Sequence, residues 1–305
     1  MILRKIFVVL LVLIVVGSIF GLFYYSGETE VMEDRVAFLN FQGPIQEGLA
    51  GFGTGVITPD RVVKSLNNLK NINGIEAVVL RIDSPGGAIG ASQEIYNIIS
   101  NYEMPVVISM GDMAASGGYY IAAAADRIVA HPGTMTGSIG VITTFYDPEG
   151  LLENIGIERE TVMSGEHKDM FSRTLTEEER EKMQTLSDEA YNQFINHIAE
   201  GRNLEVDDIL PYATGEIFLG SQALEYNLVD SLGGRSEALR IAGELSGIED
   251  PEYYYPSEPG IFQRMSELAL KIPQILQGQK NPELILLERL ENGLKPALKY
   301  QVPGF

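Results

Sequence analysis

The sequence predicts an α/β domain built on a parallel β-sheet, and three observations support this prediction. Short apolar, β-branched segments alternate with amphipathic helical segments over residues 35–130, which is the order of a parallel sheet with helices on its faces. Two of the predicted strands end in glycine-rich turns, at residues 84–87 and 115–118. The residues are 45% hydrophobic, as in ordinary globular proteins. A domain of this class places its functional site beyond the carboxyl ends of the strands.

The chain begins with a segment that we expect to cross a membrane. Residues 6–25 carry no charge, and a helix of this length spans the hydrocarbon core of about 30 Å. Arg4 and Lys5 precede this run and acidic residues follow it, which predicts a cytoplasmic N-terminus and an extracytoplasmic remainder. A cleaved signal peptide is the alternative, but its apolar region is shorter and ends in small residues, whereas this run ends in Phe23 and two tyrosines. We therefore expect an uncleaved, single-pass cell-membrane anchor over residues 1–26.

The first β-α-β unit follows a short acidic linker. Arg35–Phe41 is an apolar run typical of a strand. Thr58 before Pro59 indicates a helix N-cap with proline in the first helical position, and we expect this helix to reach Lys70. The run Ile75–Ile82 is β-branched and apolar, which is typical of a buried parallel strand.

The second part of the predicted sheet follows the first glycine-rich turn. A helix is expected from this turn to about Ser100, followed by a strand over Pro105–Met110. After the second turn, a helix of small residues should extend to Ala125, and Arg127–Ala130 should form a short strand. The alternation of strands and helices predicts that all these strands are parallel.

The C-terminal half contains a long helix and an extension. Thr176 and Glu179 have the spacing of a capping box, which predicts a helix that starts there and reaches about Arg202. Residues 223–234 indicate a helix, a turn and a strand. Residues 251–305 are expected to form a helical extension with amphipathic stretches, which could pack on another subunit or lie on a membrane surface.

The composition excludes several classes of function. The chain has 22 basic and 42 acidic residues and a formal net charge of −20, and an acidic surface repels phosphate backbones, so we expect no nucleic-acid partner. Cysteine is absent, which excludes disulfides, thiolate metal sites and a cysteine nucleophile. The histidines lack ligand-like spacing, at His131, His167 and His197, so we expect no metal and no other cofactor.

The two glycine-rich turns suggest acyl-transfer chemistry. Glycines at 86 and 87 allow the backbone to present bare N–H groups to a ligand. Ser116 begins a predicted helix, where its hydroxyl lies near the positive end of the helix dipole. The N–H of the next residue can face a developing oxyanion. A tight turn without any chemistry is equally compatible with such a segment.

A serine nucleophile needs a general base, and these residue patterns leave the base open. The three histidines are candidates, but the Gly-x-Ser-x-Gly elbow is absent around Ser116. A lysine is the other option, because the pKa of a buried ammonium falls toward neutrality. Several lysines remain possible on these grounds.

Four stretches of the sequence resemble the signal peptide peptidase A family, also called protease IV. These stretches are RIDSPGGAIGASQEIY (81–96), GDMAASGGYYIAAAADRIVAHPGTMTGSIGV (111–141), SGEHKDMFS (164–172) and ALEYNLVDSLGG (223–234). The similarity extends from about residue 35 to residue 245, and the motifs are specific in combination. A single catalytic module is similar to the short form of the family rather than to the duplicated long form.

The resemblance implies a fold and a set of site residues. The fold is a crotonase/Clp-protease-like spiral of β-β-α units. Ser116 matches the nucleophile, Lys168 the general base and Ser138 a hydroxyl that orients the lysine. The N–H groups of Gly87 and Gly117 match the oxyanion hole. The family forms a ring-like homo-oligomer in which the lysine completes a site with the serine of a neighbouring subunit.

Three polar residues near these motifs are interpreted as structural. Asp83 and Asp169 are expected to act as structural caps or ion-pair partners rather than as catalytic groups. His167 is interpreted as a neighbour of the base without a chemical role.

The implied function is that of a membrane-anchored serine endopeptidase that degrades remnant signal peptides and other membrane-released peptides outside the cytoplasm. The implied organisation is an anchor over residues 1–26, a linker over 27–34, a Ser-Lys peptidase domain over 35–250 and the extension over 251–305. Two alternatives remain open. One is an acyl-CoA hydratase or isomerase of the crotonase type, and the other is a non-enzymatic, membrane-tethered scaffold.

Overall fold

A β-sheet of eight strands forms the centre of the described part of the chain, which comprises residues 34–48, 55–249 and 251–256 of a computed structural model. The strands are β1 (Arg35–Gln42), β2 (Ile75–Ser84), β3 (Val106–Ala115), β4 (Arg127–Ala130), β5 (Met135–Gly137), β6 (Ile217–Leu219), β7 (Ser231–Leu232) and β8 (Glu252–Tyr254). The helices are α1 (Pro59–Leu69), α2 (Ile89–Ser100), α3 (Gly117–Ala122), α4 (Glu149–Asn154), α5 (Glu177–Arg202), α6 (Val206–Ile209), α7 (Gly220–Glu225) and α8 (Arg235–Ser246).

The strand order brings separate chain segments to one edge of the sheet. Strands run in the order β6-β5-β3-β2-β1-β8, and β4 pairs with both β3 and β7. All pairs are parallel except β5 with β6, which is antiparallel. The predicted parallel α/β architecture is therefore confirmed. Because β2, β3 and β5 are neighbours and parallel, their carboxyl ends lie side by side.

Helices cover both faces of the sheet. The larger core joins the sheet to α1, α2, α3 and α5, and its centre includes Leu66, Ile95, Ile121 and Ile198, all of which are buried. The smaller core lies on the opposite face, where α8 packs on alternate residues of β1, β2, β3 and β4. The central strand β2 is buried on both faces, as its β-branched sequence predicts.

The predicted caps form as expected. The Thr58 side chain accepts a hydrogen bond from Arg61 N at 3.2 Å and begins α1, with Pro59 in the first turn. Thr176 and Glu179 form the capping box that begins α5. Satisfying the free N–H groups of a first turn in this way stabilises a helix by about 1 kcal/mol.

Two observed elements extend beyond the predicted ones. Strand β3 continues past Met110 to Ala115, because Gly111 allows it to pass Asp83, whose Oδ1 accepts from Met113 N at 3.1 Å. A Cβ atom at residue 111 would lie 2.6 Å from the Asp83 Cβ atom. Strand β8 follows residue 250, the predicted end of the peptidase domain, and it pairs with β1.

The predicted anchor, the linker up to residue 33 and most of the predicted extension, residues 257–305, lie outside the described residues. In the described ranges, every helix is too short or too polar to span a bilayer.

Candidate active site

Ser116 lies where β3 ends and α3 begins, in a backbone conformation that is unfavourable for a serine. Its φ and ψ angles are 53° and −122°, a region that costs a residue with a side chain about 1–3 kcal/mol. Two hydrogen bonds hold this conformation, from Ser116 N to Gly137 O at 2.8 Å and from Tyr120 N to Ser116 O at 2.9 Å. Backbone strain of this kind is concentrated at functional sites. Because of this conformation, the serine belongs to neither β3 nor α3.

Ser138 stands beside Ser116 because the two residues follow paired strands. Ala115 of β3 is in register with Gly137 of β5, so the next residue of each strand is a serine. Ser138 has φ of 49°, and its N–H donates to Glu216 O at 2.6 Å. Both serines line one cavity of about 520 Å³. The fold thus brings Ser138 to the same cavity as Ser116, while its predicted role in orienting a lysine stays a prediction.

The turn after β2 brings Gly87 next to Ser116. Gly86 O accepts from Ile45 N, and Ile45 O accepts from Ala88 N, both at 2.9 Å. These two hydrogen bonds engage the carbonyl of residue 86 and the N–H of residue 88. The N–H of Gly87 itself therefore points away from Ile45. A Cβ atom at residue 117 would lie only 3.1 Å from Gly87 N. The backbones of Gly87 and Gly117 are thus adjacent, and both border the cavity next to Ser116.

Two cavities meet at Ser116 and differ in their lining. The larger one contains polar groups that include Ser138, Gln184 and Asp188. The smaller one also contains Gly87 and Gly117, and its other lining residues are mostly apolar: Ile89, Tyr120, Val141, Ile142, Ala190 and Phe194. The segment 140–142 lines both. Both cavities therefore border Ser116, and the larger one adds polar groups that the smaller one lacks.

Tyr120 belongs to an aromatic cluster that the sequence did not reveal. Its hydroxyl lies 2.5 Å from His197 Nδ1, and the His197 ring stacks on Tyr96 with centroids 4.5 Å apart. Burial raises the pKa of Tyr120 to about 12, so the phenol stays protonated at neutral pH. The cluster supports the wall of the smaller cavity, because Phe194 also packs on the Tyr120 ring at 4.4 Å.

None of the three histidines lines either cavity among the described residues. His197 instead contacts Tyr120, and His167 Nδ1 lies 2.9 Å from Glu179 Oε1. His131 is exposed on the loop after β4. The fold therefore offers no histidine base for Ser116 within the described part of this chain.

Lys168 lies on an exposed loop between residues 164 and 169, and it lines neither cavity. The fold thus brings Ser116, Ser138, Gly87 and Gly117 together, whereas Lys168 of the same chain is not among the residues that line their two cavities. The residues beside the lysine have structural partners: Asp169 pairs with an arginine, as predicted for that residue, and His167 contacts a buried glutamate.

The segment from Ile142 to Phe171, which carries Lys168, exposes many apolar side chains. Helix α4, which belongs to it, buries none of its residues. The exposed fractions are 88% for Ile142, 83% for Tyr146 and 95% for Val162. We call residues 142–171 the apolar arm. A concentration of exposed apolar side chains along one segment is typical of a surface that contacts another molecule.

The α/β sheet and the strained serine beside two backbone N–H groups define a serine peptidase, and comparisons with known proteins agree. The family model of peptidase family S49 matches residues 99–249, and a Clp protease model matches residues 56–138. The chain therefore belongs to peptidase family S49, the signal peptide peptidase A family that its motifs resemble.

Individual relatives support the same membership. A putative protease of Synechocystis sp. is 43% identical over 222 residues, which are 72% of this chain and 76% of that protein. A putative signal peptide peptidase of Enterococcus faecium is 39% identical over 179 residues, which are 57% of this chain and 52% of the relative. The chain thus spans three quarters of the first relative and about half of the second.

Solved structures share the fold. A mutant of 1510-N, a membrane-bound stomatin-specific protease, superposes with a TM-score of 0.51 at 16% identity and covers 74% of this chain and 99% of that chain. At this identity the likeness concerns the fold alone.

Proposed function

We propose that the protein is a membrane-anchored serine endopeptidase with Ser116 as nucleophile and Lys168 as general base. Ser138 orients the lysine, and the N–H groups of Gly87 and Gly117 form the oxyanion hole. The observation that carries this proposal is the strained conformation of Ser116 directly beside the two glycine backbones. The finer architecture, a spiral of β-β-α units, is proposed from the same family resemblance.

The reaction follows from these roles. Neutral Lys168 accepts the Oγ proton as Ser116 attacks the scissile carbonyl, and the new C–O bond places negative charge on the carbonyl oxygen. The two glycine N–H groups stabilise this oxyanion, and one such donor contributes about 3 kcal/mol. The lysine then gives its proton to the leaving amine. Water, deprotonated by the same base, hydrolyses the acyl-enzyme and restores Ser116.

We propose that Lys168 acts on Ser116 of a neighbouring subunit in a ring-like homo-oligomer. The exposed position of Lys168 in one chain supports this arrangement, and so does the apolar arm around it. Packing of the arm on a second copy would remove water from the lysine. Desolvation lowers the pKa of a lysine, which is what a base at neutral pH requires.

The proposed substrates are peptides released in the membrane, including remnant signal peptides. The apolar side chains of the smaller cavity, such as Ile89 and Phe194, support this choice because signal peptides are rich in apolar residues. Residues 1–26 would anchor the enzyme in the cell membrane, with the catalytic part outside the cytoplasm. Neither a cofactor nor a nucleic acid takes part.

The test is peptide hydrolysis by the full chain in detergent, with a fluorogenic peptide. Ser116→Ala and Lys168→Ala should each lose more than about 10³-fold in kcat, because both groups act in the chemical step. Lys64→Ala is the matched control, since Lys64 is also exposed but lies on α1. Full activity of either site variant would refute the proposed dyad.

Mixing the two inactive variants tests whether the site is shared. After dissociation and reassembly of an equal mixture, an intact serine should meet an intact lysine in about a quarter of the sites of a closed ring. A site contained within one subunit predicts no recovery, so activity at the background level would refute sharing without affecting the dyad itself.

A further inference from the structure

We infer that Glu179 is a positioning residue that fixes the loop carrying Lys168, and this inference rests on the proposed role of Lys168 as the base. Glu179 lies in the first turn of α5 and is 1% exposed. It reaches both neighbours of the lysine in the sequence, one directly and the other through Arg173. We call this set of contacts the Glu179 clamp.

The carboxylate of Glu179 is the centre of the clamp. Its Oε1 accepts from Arg173 Nη2 at 2.9 Å and lies 2.9 Å from His167 Nδ1. Its Oε2 accepts from Arg173 Nη1 at 2.8 Å and from Thr176 N at 3.0 Å. The Arg173 guanidinium, the Thr176 N–H and the His167 ring together hold the pKa of Glu179 well below its usual range, so the carboxylate is charged at neutral pH.

Arg173 extends the clamp to the other side of the lysine. Its Nε donates to Asp169 Oδ2 at 3.0 Å, and its Nη2 lies 3.0 Å from Asp169 Oδ1. His167 and Asp169 are thus both tied to one buried carboxylate, and Lys168 is the residue between them. The backbone is held on both sides while the lysine side chain stays outside these contacts.

A capping box alone does not account for this arrangement. It requires only the reciprocal contacts between Thr176 and Glu179. The contacts to His167 and Arg173 serve the preceding loop, whose residues 164–166 are exposed and bury no apolar side chain. Such a loop needs polar anchors to keep one conformation. A displacement of about 1 Å at a reacting group costs about 10²-fold in rate, so a fixed loop matters for a base.

The decisive variant is Glu179→Gln in the full chain, which keeps the size of the side chain but removes its charge. We expect kcat for peptide hydrolysis to fall by about 10- to 100-fold with KM changed less than about two-fold, because the clamp acts on the base and not on substrate binding. Hydrogen exchange of the amides of residues 165–170 should become faster. A variant that only weakened α5 would lower the melting temperature without this change in kcat.

Glu237→Gln is the matched control. Glu237 of α8 receives two hydrogen bonds from one arginine, Arg240 Nε at 3.0 Å and Arg240 Nη2 at 2.7 Å. This ion pair lies on the helix that packs on the opposite face of the sheet. Its loss should leave kcat and the exchange of residues 165–170 at the parent values.

A second variant decides the question if Glu179→Gln does not fold. The double change His167→Ala and Asp169→Asn leaves the Glu179–Arg173 pair and the capping box in place, and both residues are only partly buried. It should reproduce the loss in kcat at the parent melting temperature.

The outcomes separate the two proposals. If Lys168→Ala is inactive but the clamp variants keep parent kcat, the clamp is refuted and the proposed dyad stands. If Lys168→Ala keeps full activity, the dyad is refuted and the catalytic role of the clamp with it.

Discussion

Ser116 shows how much of the proposed catalytic centre depends on the backbone of single residues. Its positive φ is maintained by hydrogen bonds to Gly137 and Tyr120, so the strain is distributed over β5 and α3. At residues 86 and 117, beside this serine, the surrounding atoms are too close for a side chain to fit. The serine therefore depends on its neighbours lacking Cβ atoms as much as on its own hydroxyl.

Gly117→Ala tests this dependence at the residue scale. The added Cβ atom would lie 2.6 Å from Ser92 Oγ and 3.1 Å from Gly87 N, so the two proposed oxyanion donors must separate. We expect kcat to fall by about 10²- to 10³-fold, the usual effect of losing one such donor. Gly90→Ala in α2 is the control, because nothing lies within 4 Å of a Cβ atom there.

The double variant Gly117→Ala with Ser92→Gly separates two causes. It removes the clash with the serine hydroxyl but keeps the approach to Gly87. Continued low kcat, measured on a protein with the parent melting temperature, supports the oxyanion role, and restored kcat contradicts it.

The turns that carry Gly87 and Ser116 were predictable because strand ends and their glycines are local sequence signals. Ser138 was assigned only through the family resemblance, because the strand before it, β5, has three residues and gives no clear local signal; register with β3 brings it to Ser116. The contact between Tyr120 and His197 was not predictable, because it depends on how α3 packs against α5, 77 residues apart in the chain. No local pattern marks such a pair.

At the scale of elements, helix α5 connects the loop that carries Lys168 with the helix that begins after Ser116. Its first turn carries the Glu179 clamp, and its last turns pack against the end of α3, the helix that begins after Ser116. Its capping box and its length were predictable from local signals. Its close approach to α3 at Gly201 was not, because a glycine inside a helix does not identify its neighbour.

Gly201→Ala tests this approach. A Cβ atom at residue 201 would lie 1.9 Å from Ala123 O, a backbone atom that cannot rotate away. Overpacking of this kind should lower the free energy of unfolding by about 1–3 kcal/mol despite the better helix propensity of alanine. Thermal or urea unfolding measures the change. Gly150→Ala in α4, where a Cβ atom meets open space, should not be destabilising.

At the scale of the whole molecule, the apolar arm is the part of the described chain that leaves many apolar side chains uncovered. Its side chains are exposed in one subunit, although Phe145 and Phe171 stack on each other at 5.7 Å. In the proposed ring, a second copy packed on the arm would cover these side chains. Sequence patterns could not locate this surface, because exposure depends on the absence of a covering element.

Replacing Val162 and Ile155 by serine tests the arm. Both are exposed, so the fold of one subunit should not change, but the assembly should become smaller in sedimentation and lose activity in parallel. Leu245→Ser on α8 is the control, because Leu245 is exposed outside the arm. An unchanged particle size would contradict the role of the arm in assembly.

The exposed position of Lys168, outside the cavities at Ser116 of its own chain, has a consequence if the proposed site is shared. In that case a newly made subunit is inert until it meets another copy, and turnover per molecule falls when the enzyme is diluted. The local concentration of the enzyme would then itself switch proteolysis on.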